Sequence, residues 1–178
     1  LRGFAKLPIV STFQEMYQLN PACIAVNGMY RGVSRLAGMD ILDVNGSSLS
    51  DEFTTLENVW GDYDFFYLHF KKTDTFGENG DFDGKVRAIE EFDQQIPRLM
   101  DLKPDVVIVT GDHSSPAVLK FHSWHPVPLL IYSKFCRSDG IAEFGESACA
   151  KGNLGHVFAR HVMPIALANA GRVAKYGA

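Results

Sequence analysis

Five side chains able to ligate a divalent cation fall in two short stretches of the sequence. "KTDTFGEN" holds Asp74 and Glu78 four residues apart around Gly77. "TGDHSSPAVLKFHSWHPVP" holds Asp112 beside His113, with His122 nine residues further on and His125 as an outsider. Deprotonated carboxylates and neutral imidazoles that converge on one point bind divalent cations. Five such groups suit two ions sharing a site, the arrangement that clamps phosphoryl oxygens during in-line displacement. Asp112 and His113 are neighbours and point in different directions, so they serve one ion only where the backbone bends. Spacing alone leaves a second reading open, because loops after strands are commonly polar and Asp often caps a helix. Ser114 and Ser115 read as turn or cap residues, with a nucleophile beside His113 as the alternative.

The elements that must position these groups follow from periodicity. Strands are expected at 22–26 (ACIAV), 40–44 (DILDV), 63–70 (YDFFYLHF), 105–112 (DVVIVTGD) and 127–132 (VPLLIY). Helices are expected over the "GMYRGVSRLAGM" stretch, near 52–60, from Phe82 to Met100, and from Gly155 to Asn169 with a bend or local break at Pro164. Alternating strands and helices predict an α/β fold with a mostly parallel sheet flanked by helices. In such folds ligands gather beyond the carboxyl ends of strands, and Asp74, Asp112 and His113 each follow a predicted strand. His69 lies inside a strand and is expected to be a structural core histidine. His156 and His161, five apart, are expected on the terminal helix with structural roles.

Bulk properties exclude several classes. The 178 residues are 46 % hydrophobic and 21 % charged with a formal net charge of −4, which is neither a disordered chain nor a basic nucleic-acid binder. No apolar run is long enough to span a bilayer, and no secretory signal pattern is present. The three cysteines, Cys23, Cys136 and Cys149, are odd in number and far apart, which fits reduced thiols in a cytoplasmic protein. The chain begins with Leu1, so it is expected to be a piece of something longer.

"KKTDTFGENGDFDGKVRAIEEFD" followed by "VTGDHSSPAVLKFHSWHPVPLLIY" resembles the archaeal-type, cofactor-independent phosphoglycerate mutases of the alkaline phosphatase superfamily. "YRGVSRLAGMDILDV" and "FGESACAKGNLGHVFARHVMPIALANAGRVAKYGA" resemble further segments of those enzymes, so the likeness covers nearly the whole chain.

The resemblance implies an incomplete alkaline-phosphatase-like core. Residues 1–58 would end an inserted substrate-binding (phosphotransferase) domain, and 59–178 would form the C-terminal part of the metal-binding domain. It implies that Asp74, Glu78 and His122 hold one ion and that Asp112 and His113 hold the other, with manganese, magnesium or zinc as the metals. The family has His where Glu78 stands, and an extra carboxylate favours manganese or magnesium over zinc. The nucleophilic Ser and one metal-binding Asp would lie in a missing N-terminal portion, leaving this fragment inactive by itself. The implied reaction is interconversion of 3-phosphoglycerate and 2-phosphoglycerate through a phosphoserine. Arg31, in "YRG" at a strand-to-helix turn, could clamp a carboxylate or phosphate as a substrate contact, with a solvated helix face as the alternative reading. A metal-dependent phosphatase or phosphotransferase of the same superfamily, or a non-catalytic fragment, is the alternative. No nucleic-acid or membrane partner is expected.

Overall fold

The structure, a computed structural model, describes residue 6 and residues 8–173. Leu1 and the closing "KYGA" lie outside the described residues. These divide into two compact units: residues up to Lys71 with Glu91–Arg98, and Lys72–Glu90 with the chain from Leu99 onward.

The first unit is built on a three-stranded parallel sheet of order β2-β1-β3, formed by β1 (Pro21–Ala25), β2 (Asp40–Ile41) and β3 (Phe65–His69). Small and apolar side chains let β1 take the centre. Ala22, Cys23, Ile24 and Ala25 are fully buried, as a central strand of a covered parallel sheet requires. Burial in turn pushes the Cys23 thiol pKa up, against an opposing bond with Ser34. Asn20 sets the register at one end: its N–H donates to Asp64 (2.9 Å) and its side-chain amide to the Asp62 carbonyl (3.0 Å).

Parallel pairing obliges the chain to cross over between strands. Helix α1 (Phe13–Tyr17) precedes β1, α2 (Gly28–Leu36) follows it, and α3 (Leu49–Asn58) leads to β3. Asn27 caps α2 through the Met29 N–H, and Ser48 with Asp51 forms a capping box on α3. The bonds from Ser48 hold the Asp51 carboxyl below its usual range. The apolar side of α3 buries Leu49, Phe53 and Leu56. β1 and β3 lie on either side of residue 58 yet pair along the whole of β3. The division expected after residue 58 therefore falls inside one sheet and does not coincide with the compact units.

Helices α4 (Lys72–Asn79), α5 (Phe82–Asp93) and α6 (Ile96–Asp101) come next, then β4 (Val106–Thr110) and β5 (Leu129–Ser133). The single helix expected over 82–100 is two helices. Pro97 lacks an N–H and disfavours helical backbone at the residue before it, so the chain turns at Gln95, whose N–H reaches the Phe92 carbonyl (3.0 Å). The tail holds α7 (Glu146–Cys149), a 3-10 turn (Ala159–His161) and α8 (Val162–Asn169). Pro164 does not break α8, because it occupies the first turn, where its missing N–H has no partner to lose. His156 accordingly lies outside any helix, and His161 ends the turn.

The largest difference from the expected parallel sheet is in the second unit. β4 and β5 pair antiparallel, Val106 opposite Ser133 and Thr110 opposite Leu129, as a separate two-stranded sheet. The connection between them is a loop with no crossover helix, so the chain reverses direction. Of β4 only Val107 is buried, and Leu130 and Tyr132 of β5 are exposed.

Within the first unit, Arg98 grips Glu57 with two nitrogens at 2.7 Å each and also reaches Gln95, Ser50 and Thr54. This pairing holds the Glu57 carboxyl below the ordinary glutamate range. A depressed carboxyl stabilises the fold above its ordinary pKa of about 4.3 and loses that contribution as pH falls through the folded value. Both side chains are about one-third exposed, so solvent screening keeps the pair to about 1 kcal/mol. Urea unfolding of Glu57→Gln should show that deficit at pH 7 and convergence with the wild type as pH is lowered below 4.

Candidate metal centre

Helix α4 supplies two of the donors. Asp74 stands in its first turn and Glu78 four residues on, which places both carboxylates on one helix face. Gly77 lies between them and is buried. A Cβ there would collide with the Ser115 carbonyl oxygen, so only glycine lets α4 approach the loop after β4 this closely. Gly80, at φ +73°, then turns the chain out of the helix. Asp81 accepts the Gly84 N–H at 2.8 Å to start α5.

The other donors stand on the loop joining β4 to β5. Thr110 donates its hydroxyl to the Pro128 carbonyl (2.9 Å) and closes the loop at its base. Further out, Ser114 and Ser123 form an isolated antiparallel bridge, the Ser123 N–H donating to the Ser114 carbonyl at 2.8 Å. The bridge brings His122 back beside His113, their ring centroids 3.9 Å apart. Between them Pro116 accepts the N–H groups of Leu119 and Lys120, and Lys120 sits at φ +53° to complete the reversal.

These elements carry all five expected donors into one chain of contacts. Asp74 Oδ1 lies 3.4 Å from His122 Nε2 and 3.8 Å from His113 Nδ1. His122 Nε2 is 3.3 Å from Glu78 Oε1, and His113 Nε2 is 3.6 Å from Asp112 Oδ2. Asp74 is the hub, its side chain only 12 % exposed, while His122, Glu78 and Asp112 are about half exposed. Among the described residues, Asp74, His113 and His122 have ligand atoms within 4.8 Å of one another. Two imidazoles and three carboxylates, partly withdrawn from water, form a donor set that fits a divalent cation.

Three other residues refine the sequence reading. His125 is not brought into the cluster; its ring stacks on Trp124 and its Nδ1 lies 2.9 Å from Ser123 Oγ. His69 stacks on Tyr30 in the first unit. Arg31, also in the first unit, donates one guanidinium nitrogen to the carbonyls of Leu42 (3.0 Å) and Ala25 (3.3 Å) and another to Asp43 (2.8 Å). It is a strut between the end of β1 and the segment after β2.

Ser115, read from the sequence as a turn or cap residue or a nucleophile beside His113, stands in the structure between two of the candidate donors. It is buried, its hydroxyl hydrogen-bonds Asp74, and its Oγ lies 3.1 Å from His113 Nδ1. Its carbonyl accepts Lys85 Nζ at 2.6 Å. The available signal was a hydroxyl two residues after His113 in the "GDHSS" run.

A family model described as Metalloenzyme superfamily matches residues 1–169. The chain belongs to the Metalloenzyme superfamily. Within this superfamily it is 52 % identical over 178 residues to the "Probable 2,3-bisphosphoglycerate-independent phosphoglycerate mutase" of Thermosipho africanus. That alignment takes in 100 % of this chain and 44 % of the relative, so the chain spans less than half the length of the curated relatives it matches. Among solved structures, the PH0037 protein of Pyrococcus horikoshii superposes with a TM-score of 0.87 at 32 % identity, over 96 % of this chain and 47 % of that one. The cofactor-independent phosphoglycerate mutase of Thermoplasma acidophilum gives 0.74 at 26 %, over 92 % and 40 %. The resemblance read from the sequence and the α/β fold with a parallel sheet both stand.

The contact at Gly77 reverses the usual effect of a helical glycine. Gly→Ala inside a helix ordinarily stabilises by about 1 kcal/mol, but Gly77→Ala should lower the melting temperature. If the cluster holds a divalent cation, the same substitution should weaken its binding by isothermal titration calorimetry about tenfold or more, as loss of outer support for metal ligands does.

Proposed function

We propose that this chain is the metal-holding, C-terminal part of a cofactor-independent phosphoglycerate mutase that interconverts 3-phosphoglycerate and 2-phosphoglycerate. The observation that carries the reading is the convergence of Asp74, His113 and His122, flanked by Glu78 and Asp112. Close likeness to proteins named as such mutases supports it.

In this reading Asp74, Glu78 and His122 hold one divalent ion, and Asp112 and His113 hold the other. The carboxylate-rich first set favours manganese or magnesium. Bound there, the two ions would polarise the substrate phosphate and ease deprotonation of a serine hydroxyl. That serine, which would carry the phosphoryl group between the two glycerate oxygens, and one further metal-binding Asp are placed in chain beyond these residues. The share of the relatives left unmatched leaves room for such a portion. Val118, Phe121 and Trp124, on the loop that carries His122, are exposed. In the complete protein they would pack against that further portion and help keep water from the phosphoserine.

Arg31 is the proposed substrate contact of the first unit. Its partner Asp43 is almost wholly exposed, and an incoming carboxylate or phosphate can take its place on the guanidinium. The free cysteines fit a reducing, cytoplasmic setting. Among the described residues no helix is long and apolar enough to cross a membrane.

A metal-dependent phosphatase or phosphotransferase is the second reading, favoured by the half-exposed state of His122, Glu78 and Asp112. Product analysis separates the two, since a phosphatase releases inorganic phosphate from 3-phosphoglycerate and a mutase yields the 2-isomer. The full-length protein with Mn²⁺ is expected to give the isomer, and the 178-residue chain alone neither product. Asp74→Ala or His122→Ala in the full-length protein should lower kcat/KM at least a thousandfold with an unchanged circular dichroism spectrum. Retention of activity in either variant would remove that residue from the ligand set.

A further inference from the structure

Ser115 lies between the Asp74 carboxylate and the His113 ring. Its hydroxyl donates to Asp74 Oδ1. An ionised carboxylate only accepts, so the hydroxyl proton is committed to Asp74. The same oxygen lies 3.1 Å from His113 Nδ1, and that contact is attractive only if Nδ1 carries a proton and donates it to Oγ. In the neutral ring this leaves the lone pair on Nε2. Nε2 in turn faces Asp112 Oδ2 at 3.6 Å, while Asp112 Oδ1 accepts the His113 backbone N–H at 3.1 Å. A lone pair opposite a carboxylate oxygen is repulsive unless a cation lies between them.

The backbone of Ser115 is held for this task from two sides. Lys85 Nζ donates to its carbonyl at 2.6 Å, and Gly77 admits that carbonyl against α4. The residue is only 4 % exposed, so water does not replace its hydroxyl. Histidine ligands are oriented in this way when the nitrogen not used for the metal is hydrogen-bonded by a neighbour.

We propose that Ser115 is a positioning residue, whose hydroxyl links the Asp74 carboxylate to His113 Nδ1–H and so directs His113 Nε2, with Asp112, to a divalent cation. The inference rests on the metal-holding reading above and deepens it. It assigns Nε2 of His113 to the Asp112 side of the cluster and Nδ1 to the link with Asp74.

The test uses the full-length protein labelled with ¹⁵N-histidine, metal-free at pH 8, with Ser115→Ala and Ser115→Thr alongside the wild type. Two-bond ¹H–¹⁵N correlation spectra should show His113 as the Nδ1–H tautomer in the wild type and Ser115→Thr, and as a mixture in Ser115→Ala. Calorimetric titration with Mn²⁺ should give a Kd raised 10- to 100-fold in Ser115→Ala, and within about threefold of wild type in Ser115→Thr, where the hydroxyl is retained. An Nε2–H or doubly protonated His113 in the wild type overturns the proposal, as does an unchanged Mn²⁺ affinity in a folded Ser115→Ala. If the wild type takes up no Mn²⁺, the metal-holding reading fails and the wild-type tautomer alone decides the role of Ser115. If a variant does not fold by circular dichroism, the same wild-type spectrum decides.

Discussion

The second unit depends on one close approach, that of helix α4 to the loop after β4, made possible because Gly77 has no side chain to meet the Ser115 carbonyl. Asp74 arrives on the helix and His113 on the loop, and the Ser115 hydroxyl joins them. Move the helix outward by the width of a methyl group and the hub carboxylate leaves both histidines. Lys85, one helix further along, pulls on the same carbonyl. The candidate donor cluster therefore rests on a packing distance between two backbones as much as on the side chains themselves.

The loop that meets α4 is unusual in its own right. It spans residues 111–128 between two antiparallel strands, far longer than the two to five residues of an ordinary hairpin. Closure at Thr110 and Pro128, and again at Ser114 and Ser123, ties it down at two levels. Such pinning costs conformational entropy, and the return is that His113 and His122 stand ring against ring. The first unit solves a different problem. Its central strand is buried along its length, and its helices are started by Asn27 and by the Ser48–Asp51 pair. The result is a covered parallel sheet with the Arg98–Glu57 fork binding α3 to α6.

Several elements were legible without coordinates. The runs at 22–26 and 63–70 predicted β1 and β3 because buried strands concentrate apolar and aromatic residues. Asp74, Glu78, Asp112, His113 and His122 were legible as candidate donors because few side chains ligate metals, and the structure brings them into one chain of contacts. Less legible was the end of α5, where Pro97 overrode a helical period that continued unbroken through it. The pairing direction of β4 and β5 was likewise hidden: a β-branched run records that a strand is apolar and carries no information about its neighbour's direction. At Arg31 the sequence showed only a cation at a strand-to-helix turn, and the three acceptors it holds, the carbonyls of Ala25 and Leu42 and the Asp43 carboxylate, are visible only in the folded chain.

By itself, then, the sequence determined the α/β class, the donor types and their local spacing, because these follow from side-chain chemistry and from periodicities of a few residues. Tertiary structure decided that Asp74 is the hub, that Ser115 stands between it and His113, and that His125 stays outside. Those facts turn on contacts between residues 30 and 41 positions apart, Lys85 with Ser115 and Asp74 with Ser115. Contacts of that range exist only after helix and loop have packed, and a single missing Cβ at Gly77 sets how closely they do so.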